Sequence, residues 1–229
     1  MKQKAIIFDA STLITFSMNG FLPELKKLKK IFNGKFLITK DVKWEVIDKP
    51  MKIKRFKLEA LSVEKLLKEK VLEMSSSLKI DDNLISKKTE EIRDVANNLF
   101  EAKGKYLHLI DLGEASCLAL SKILDEKGIQ NVVAVDERTL RMLGEKPENV
   151  KELLERKLHT KVVLKKENFG IFEGFKFIRS AELIYVVYKK KLFDLENGIL
   201  DALLYAVKSK GCAISGEEIK EIVQLNSKN

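Results

Sequence analysis

Residues 5–16 read AIIFDASTLITF. The first four are a short, unbroken apolar run of the kind that a parallel sheet buries on both faces. The run ends in Asp9, with Ser11 and Thr12 just behind it. An ionised carboxylate at the rim of a core is costly unless something pairs with it. A turn or a helix cap would explain Asp9; so would a metal ligand or a nucleophile. The remainder of the chain has to decide between them.

Outward from this stretch, apolar runs alternate with amphipathic ones. Residues 21–32 carry Leu25, Leu28 and Phe32 at helical spacing, residues 36–38 read as a second strand, and residues 41–47 as a helix stopped before Pro50. From 51 to 105 the text turns rich in Lys and Glu, with a polar break at SSSLKIDDN (75–83). A long helical hairpin is expected there, as an inserted arm or as part of the main body. Residues 106–110 form a third apolar run. Residues 111–127 form a well-marked helix, with Ala115, Leu118, Ala119 and Ile123 on one face and Gly128 as its terminator. The clearest strand is 131–135, followed by Asp136 and a short helix over 138–143. Residues 162–164 read as a last strand, and 181–191 and 195–208 as helices. Ser215-Gly-Glu-Glu218 is a capping box for a final helix.

This alternation predicts an α/β fold: a three-layer α/β/α sandwich on a mostly parallel sheet, one domain over 1–229 with a helical part at about 180–223. In such sheets the chemistry gathers at the carboxyl ends of the strands, where Asp9 and Asp136 both fall.

The 229 residues include 45% hydrophobic and 34% charged residues, only 3 Pro and 11 Gly, and no apolar run near the length of a membrane span. Asp9 interrupts the first apolar run too early for a signal peptide, so a cytoplasmic, membrane-free protein is expected. Cys117 and Cys212 lie far apart, which suits reduced structural thiols, and His108 and His159 are too few for a histidine-based metal cluster. A net charge of +9 suits a polyanionic partner. Lys26-Lys27, Lys29-Lys30, Lys165-Lys166 and Lys189-Lys190-Lys191 are the densest basic runs.

Two more acids, Glu45 and Glu114, follow the second strand and open the helix at 111. Each of the four has a local explanation: Asp9 and Asp136 as caps, Glu114 with Asp111 as a D-x-x-E capping box, Glu45 as a surface residue beside Trp44. Together they fall at one rim of the expected sheet. Clustered carboxylates raise one another's pKa, and a hard divalent cation, Mg²⁺ or Mn²⁺, removes that cost while activating water against a phosphodiester.

With IIFDASTLI (6–14), TKDVKWEV (39–46), DLGEASCLALS (111–121) and VVAVDERTLRML (132–143) in this order, and the helical 181–215 behind them, the chain resembles the PIN domain, a metal-dependent nuclease fold that includes VapC-type toxins. The resemblance implies a metal-dependent ribonuclease with Asp9, Glu45, Glu114 and Asp136 as catalytic and metal-binding acids. It also implies Ser11 as the hydroxyl that orients the first aspartate or a bound water, and Glu137 and Arg138 as supporting residues. RNA is then the substrate, and an antitoxin, another protein or a second copy of the chain a companion. The stretch 51–105 is extra relative to a compact toxin, so substrate or partner choice is expected to reside there.

Two other readings compete. A haloacid-dehalogenase-like phosphatase also begins with a strand ending in Asp, but it needs a second Asp where this chain has Ser11. A catalytically silent PIN-like module would bind RNA or protein without cutting; the presence of all four acids weighs against it.

Overall fold

The computed structural model describes residues 3–146, 149–165, 169–194 and 198–227. The run at 5–8 lies in β1 (Lys4–Phe8), where Ala5, Ile6, Ile7 and Phe8 are all buried. The chain then passes through α1 (Ala10–Met18), α2 (Leu22–Ile31), β2 (Lys35–Ile38) and the single turn α3 (Lys40–Lys43). A π-helical turn at Trp44–Asp48 and two short 3₁₀ turns lead into α4 (Lys57–Lys68). Next come β3 (Glu73–Met74), α5 (Asp82–Asn97), β4 (Phe100–Ala102), β5 (Lys105–Tyr106), α6 (Leu112–Glu126) and β6 (Gln130–Ala134). The chain closes with α7 (Arg138–Glu145), α8 (Val150–Leu158), β7 (Val163–Leu164), β8 (Phe177–Ile178), α9 (Ser180–Lys189), α10 (Leu200–Ser209) and α11 (Gly216–Ser227).

The central sheet has the order β3-β2-β1-β6-β8, and every pairing in it is parallel. Ile6 lies level with Phe36 on one side and Val132 on the other, so β1 is the middle strand. From β1 the chain builds outward through β2 and β3 on one side, and later through β6 and β8 on the other. The direction of winding therefore reverses between β1 and β6, the place where ligands bind in open parallel sheets. Helices cover this α/β sheet. Helix α6 packs on β1 and β6 with α5 against it, while α1, α2, α9 and α10 pack among themselves. The side chains between them form one continuous core, in which the Phe8 ring meets Phe36 edge-on at 5.1 Å between centroids.

The region 51–105 differs from a helical hairpin. Its helices α4 and α5 are separated by β3, which pairs with β2 as the outer strand of the central sheet, and it ends in the β4–β5 hairpin. Val71 and Leu72, just before β3, are buried, as are Ile85, Ile92 and Ala96 of α5, so most of this region is built into the body. Hydrophobic periodicity found the helices but not a two-residue strand. Residues 162–164 do contain a strand, β7, but it joins β4 and β5 in a separate antiparallel sheet. The run at 106–110 is mostly loop. The Asn97 side chain stands in for a strand partner there, accepting from the N–H groups of Leu109 (2.7 Å) and Ile110 (3.1 Å). The expected helix over 195–208 appears as α10, and residues 195–197 and Lys166 lie outside the described residues. The Ser215–Glu218 capping box forms reciprocally, at 2.8 and 3.0 Å. Among the described residues no helix is long and apolar enough to cross a membrane.

Candidate active site

Asp9 is the residue after β1 and the N-cap of α1. Its Oδ2 accepts from the Ser11 N–H at 3.0 Å and from Ser11 Oγ at 2.5 Å. The residue is 2% exposed, and its other oxygen, Oδ1, is buried without a hydrogen-bond partner. Native interiors rarely tolerate that, because a buried polar atom left unpaired loses its hydration for nothing in return. Ser11 therefore orients Asp9 as expected, and it does more: its Oγ also accepts from the Asp136 N–H at 3.1 Å, tying the end of β1 to the segment after β6.

Asp136 itself turns elsewhere. Its Oδ1 accepts from the Ser180 N–H at 2.8 Å and its Oδ2 from Ser180 Oγ at 2.7 Å, both buried. Ser180 is the first residue of α9, so this carboxylate anchors the positive end of a helix. Each of the Asp136 oxygens accepts one hydrogen bond from Ser180, 44 residues away, a partner that no local spacing announces, while its charge still acts on Asp9. The acid after β6 that influences Glu114 is Glu137, half-buried, which N-caps α7 through Oε1. Arg138 is exposed.

Glu45 stands on the π-helical turn. The Lys49 N–H reaches back five residues to the Trp44 carbonyl at 2.9 Å, just before Pro50, which has no N–H to continue the ladder. The turn is held to α6 by the buried pair Thr39 Oγ1 and Ser116 Oγ at 2.6 Å, with Thr39 N-capping α3 and Ser116 donating to the Gly113 carbonyl. The Glu45 carboxylate then rests on Gly113, where a Cβ would come within 2.7–2.9 Å of it. Gly113 is thus a cradle for Glu45, which sequence reasoning did not single out. Glu114, beside it, accepts from the Asp111 N–H at 2.8 Å, as the D-x-x-E spacing predicts, while Asp111 meets His108 Nε2 at 2.7 Å.

Though Glu114 serves as a cap, it belongs to the same electrostatic group as Asp9 and Glu45. Burial, and then the charge on Asp9, pushes the Glu45 carboxyl up to about 7 and the Glu114 carboxyl up to about 8. Burial raises Asp9 as well, against the hydrogen bonds from Ser11 and a weaker one from the Ala10 N–H; Asp136 adds a lesser push. Asp111 raises both glutamates, and Asp41 also acts on Glu45. Among the described residues none of these acids forms an ion pair with Lys or Arg, although the chain carries a net +9. A cluster of carboxylates left unpaired in a basic protein stores repulsion that an external cation relieves.

Among the described residues no three His, Cys, Asp or Glu side chains are drawn together as a preformed metal cage. The donor set nevertheless fits a hard divalent ion, because Asp9 Oδ1 is an unused buried oxygen and Glu45 and Glu114 lie in its field. Mg²⁺ characteristically keeps several waters and takes only one or two protein carboxylates. Cys117 lies beneath the cluster, with its thiol pushed well up by burial and by Asp9, Glu45 and Glu114, and it makes no disulfide. Recesses of about 320 and 490 Å³ open at the amino ends of the strands, around Gln130–Asn131 and Lys4–Lys35, and one of about 340 Å³ opens between α9 and α11. The first two are remote from the carboxylate rim. Comparison with family models, with curated proteins and with solved structures found no match.

Proposed function

We propose that the chain is a divalent-metal-dependent endoribonuclease with a PIN-like three-layer fold, acting in the cytoplasm, where its two free thiols stay reduced. The observation that supports it most is Asp9 Oδ1: a buried carboxylate oxygen without a hydrogen-bond partner, at the point where the winding of a parallel sheet reverses, among acids that no described lysine or arginine pairs with. Asp9, with Glu45 or Glu114 beside it, would hold Mg²⁺ or Mn²⁺ through one or two carboxylates and several waters, with Glu137 adding its charge nearby. Such an ion supplies Lewis-acid activation of water and neutralises charge on the scissile phosphate.

The chain's own residues do the rest. Ser11 fixes Asp9 Oδ2 so that Oδ1 keeps one direction, and the backbone N–H of Asp136 fixes Ser11 in turn. Asp136 is a positioning residue on this reading, with its carboxylate holding α9 in place. Gly113 lets Glu45 lie against the start of α6. Glu45 and Glu114 hold protons near neutral pH and release them on loading, so metal affinity rises with pH.

The test is cleavage of single-stranded RNA by the purified protein across a Mg²⁺ and Mn²⁺ titration, with Asp9→Asn in parallel. Metal-dependent cleavage that falls at least about a hundredfold in the variant, or about 2.7 kcal/mol in the barrier, is expected. Asp9→Asn cutting at the wild-type rate would refute the site. The engagement of Asp136 by Ser180 favours one other reading, a binding module without cleavage; wild-type protein inert on every RNA with either ion would establish it.

A further inference from the structure

Four residues after Glu45, between Asp48 and Glu59, the chain carries a segment with no acidic residue, KPMKIKRFKL (49–58). Lys49, Lys52, Lys54, Arg55 and Lys57 are all exposed, and among the described residues none of them forms an ion pair. Other surface lysines nearby are neutralised: Lys43 by Asp48, Lys26 by Glu69, Lys35 by Glu73. The segment is ordered, as 3₁₀ turns at Pro50–Lys52 and Lys54–Phe56 closed by backbone bonds of 2.9 Å from Ile53 to Pro50 and from Phe56 to Ile53. Two aromatic rings stand exposed among the cations. Trp44 is 50% exposed with Lys49 Nζ 5.2 Å from its ring centroid, and Phe56 is 42% exposed with Arg55 Cζ at 5.4 Å.

We infer that Trp44 and the segment 49–58 form a docking platform for a single strand of nucleic acid, leading to the carboxylate rim. Trp44 directly precedes Glu45 on the π-helical turn, so the ring is anchored one residue from the carboxylate that lies on Gly113. Unneutralised cations take phosphates with release of counterions, and exposed rings take unstacked bases in any sequence. A duplex keeps its bases stacked and offers nothing to the rings. A protein partner would bury Ile53 and Leu58 but would leave five cations to be matched one by one. The choice of RNA as the strand rests on the ribonuclease reading; the platform itself does not.

The test reads binding alone: fluorescence anisotropy with a labelled, unstructured oligoadenylate in EDTA over a salt series. The triple variant Lys52→Gln/Lys54→Gln/Arg55→Gln is expected to bind at least about tenfold more weakly. Its slope of log affinity against log salt flattens by about 2, at roughly 0.7 per lost cation. Trp44→Ala and Phe56→Ala each weaken binding by roughly five- to a hundredfold with the slope unchanged. Both rings are exposed, so these variants keep the fold. Parallel oligoribonucleotide and oligodeoxynucleotide arms identify which strand the platform prefers. Unchanged affinity and slope in the triple variant would overturn the platform, as would a preference for duplex. So would a wild-type dimer, seen by sedimentation, that Phe56→Ala dissociates while oligonucleotide affinity stays constant. Because EDTA removes cleavage from the measurement, the two readings fail separately: an inert wild type whose variants bind as expected loses only the nuclease, and active protein with indifferent variants loses only the platform.

Discussion

Asp9 and Asp136 are near twins in sequence, each placed just after a buried strand, and the two strands are neighbours in the sheet. Tertiary structure treats them differently. Asp136 has both carboxylate oxygens satisfied by one serine at the start of α9, whereas Asp9 has one oxygen held by Ser11 and the other buried and unpaired. The first is what a structural aspartate looks like when it stabilises a fold. The second keeps a buried oxygen to which the surrounding side chains offer no donor, which is the opening the proposed metal would use. Position after a strand brings an acid to the rim; the partners it finds there separate anchor from site.

The largest expected effect breaks the comparison from the structural side. Asp136→Ala leaves the buried N–H and hydroxyl of Ser180 without an acceptor and is expected to cost about 2–4 kcal/mol of unfolding free energy. Asp9→Asn keeps a cap on α1 while removing a buried charge, so its stability should stay at or above wild type in metal-free buffer. Urea denaturation of the two variants measures this, and equal losses would erase the distinction.

A smaller effect sharpens it through pH. Glu45 and Glu114 keep their protons to about 7 and 8, above the ordinary 4.5, so the folded state binds more protons than the unfolded chain in between. Their contribution to stability is therefore full below about pH 4.5 and lost as pH rises toward 8. Metal-free thermal midpoints should carry this downward contribution, Glu114→Gln should weaken it, and added Mn²⁺ should raise the midpoint more at pH 8 than at pH 5. A pH dependence unaltered in Glu114→Gln would show that the rim is not a coupled group.

The smallest effect is Gly113→Ala. Its Cβ would fall within 2.7–2.9 Å of the Glu45 carboxylate, which sits at the flexible end of a side chain and shifts aside without unfolding the protein. Metal-dependent cleavage should drop by about tenfold, since ångström-scale misplacement carries costs of that order or more. Wild-type activity in this variant would show that Glu45 needs no cradle.

Much of the fold was legible locally. The buried run of β1, the amphipathic face of α6 with its terminating Gly128, and the capping box at Ser215 all form where periodicity and cap chemistry place them. The misreadings share a cause. Strands β3 and β8 are two residues long and owe their existence to the sheet edges they meet, not to their own composition. The hairpin expected over 51–105 missed that the β2 edge recruits Glu73 and Met74. Helix α8, with its last residues turned by His159 in the left-handed region, lies in a stretch whose apolar signal was too weak to stand out. Glu45 and Glu114 were singled out because each lies in a helical turn expected at the sheet rim near Asp9, and because their motifs resemble those of the PIN domain. The cradle at Gly113 was not, because a glycine's role as empty space depends on what fills it.

The sequence by itself determined that this protein is α/β, that its strongest strands are followed by aspartates, and that it carries a net charge of +9, because periodicity and charge are local properties. Only the tertiary structure decided that Ser180 takes Asp136, that Glu45 leans on Gly113, and that Asp9 keeps an oxygen with no partner. Hydrogen-bond satisfaction is settled between residues far apart in the chain, and no spacing along it says which group will be left unsatisfied.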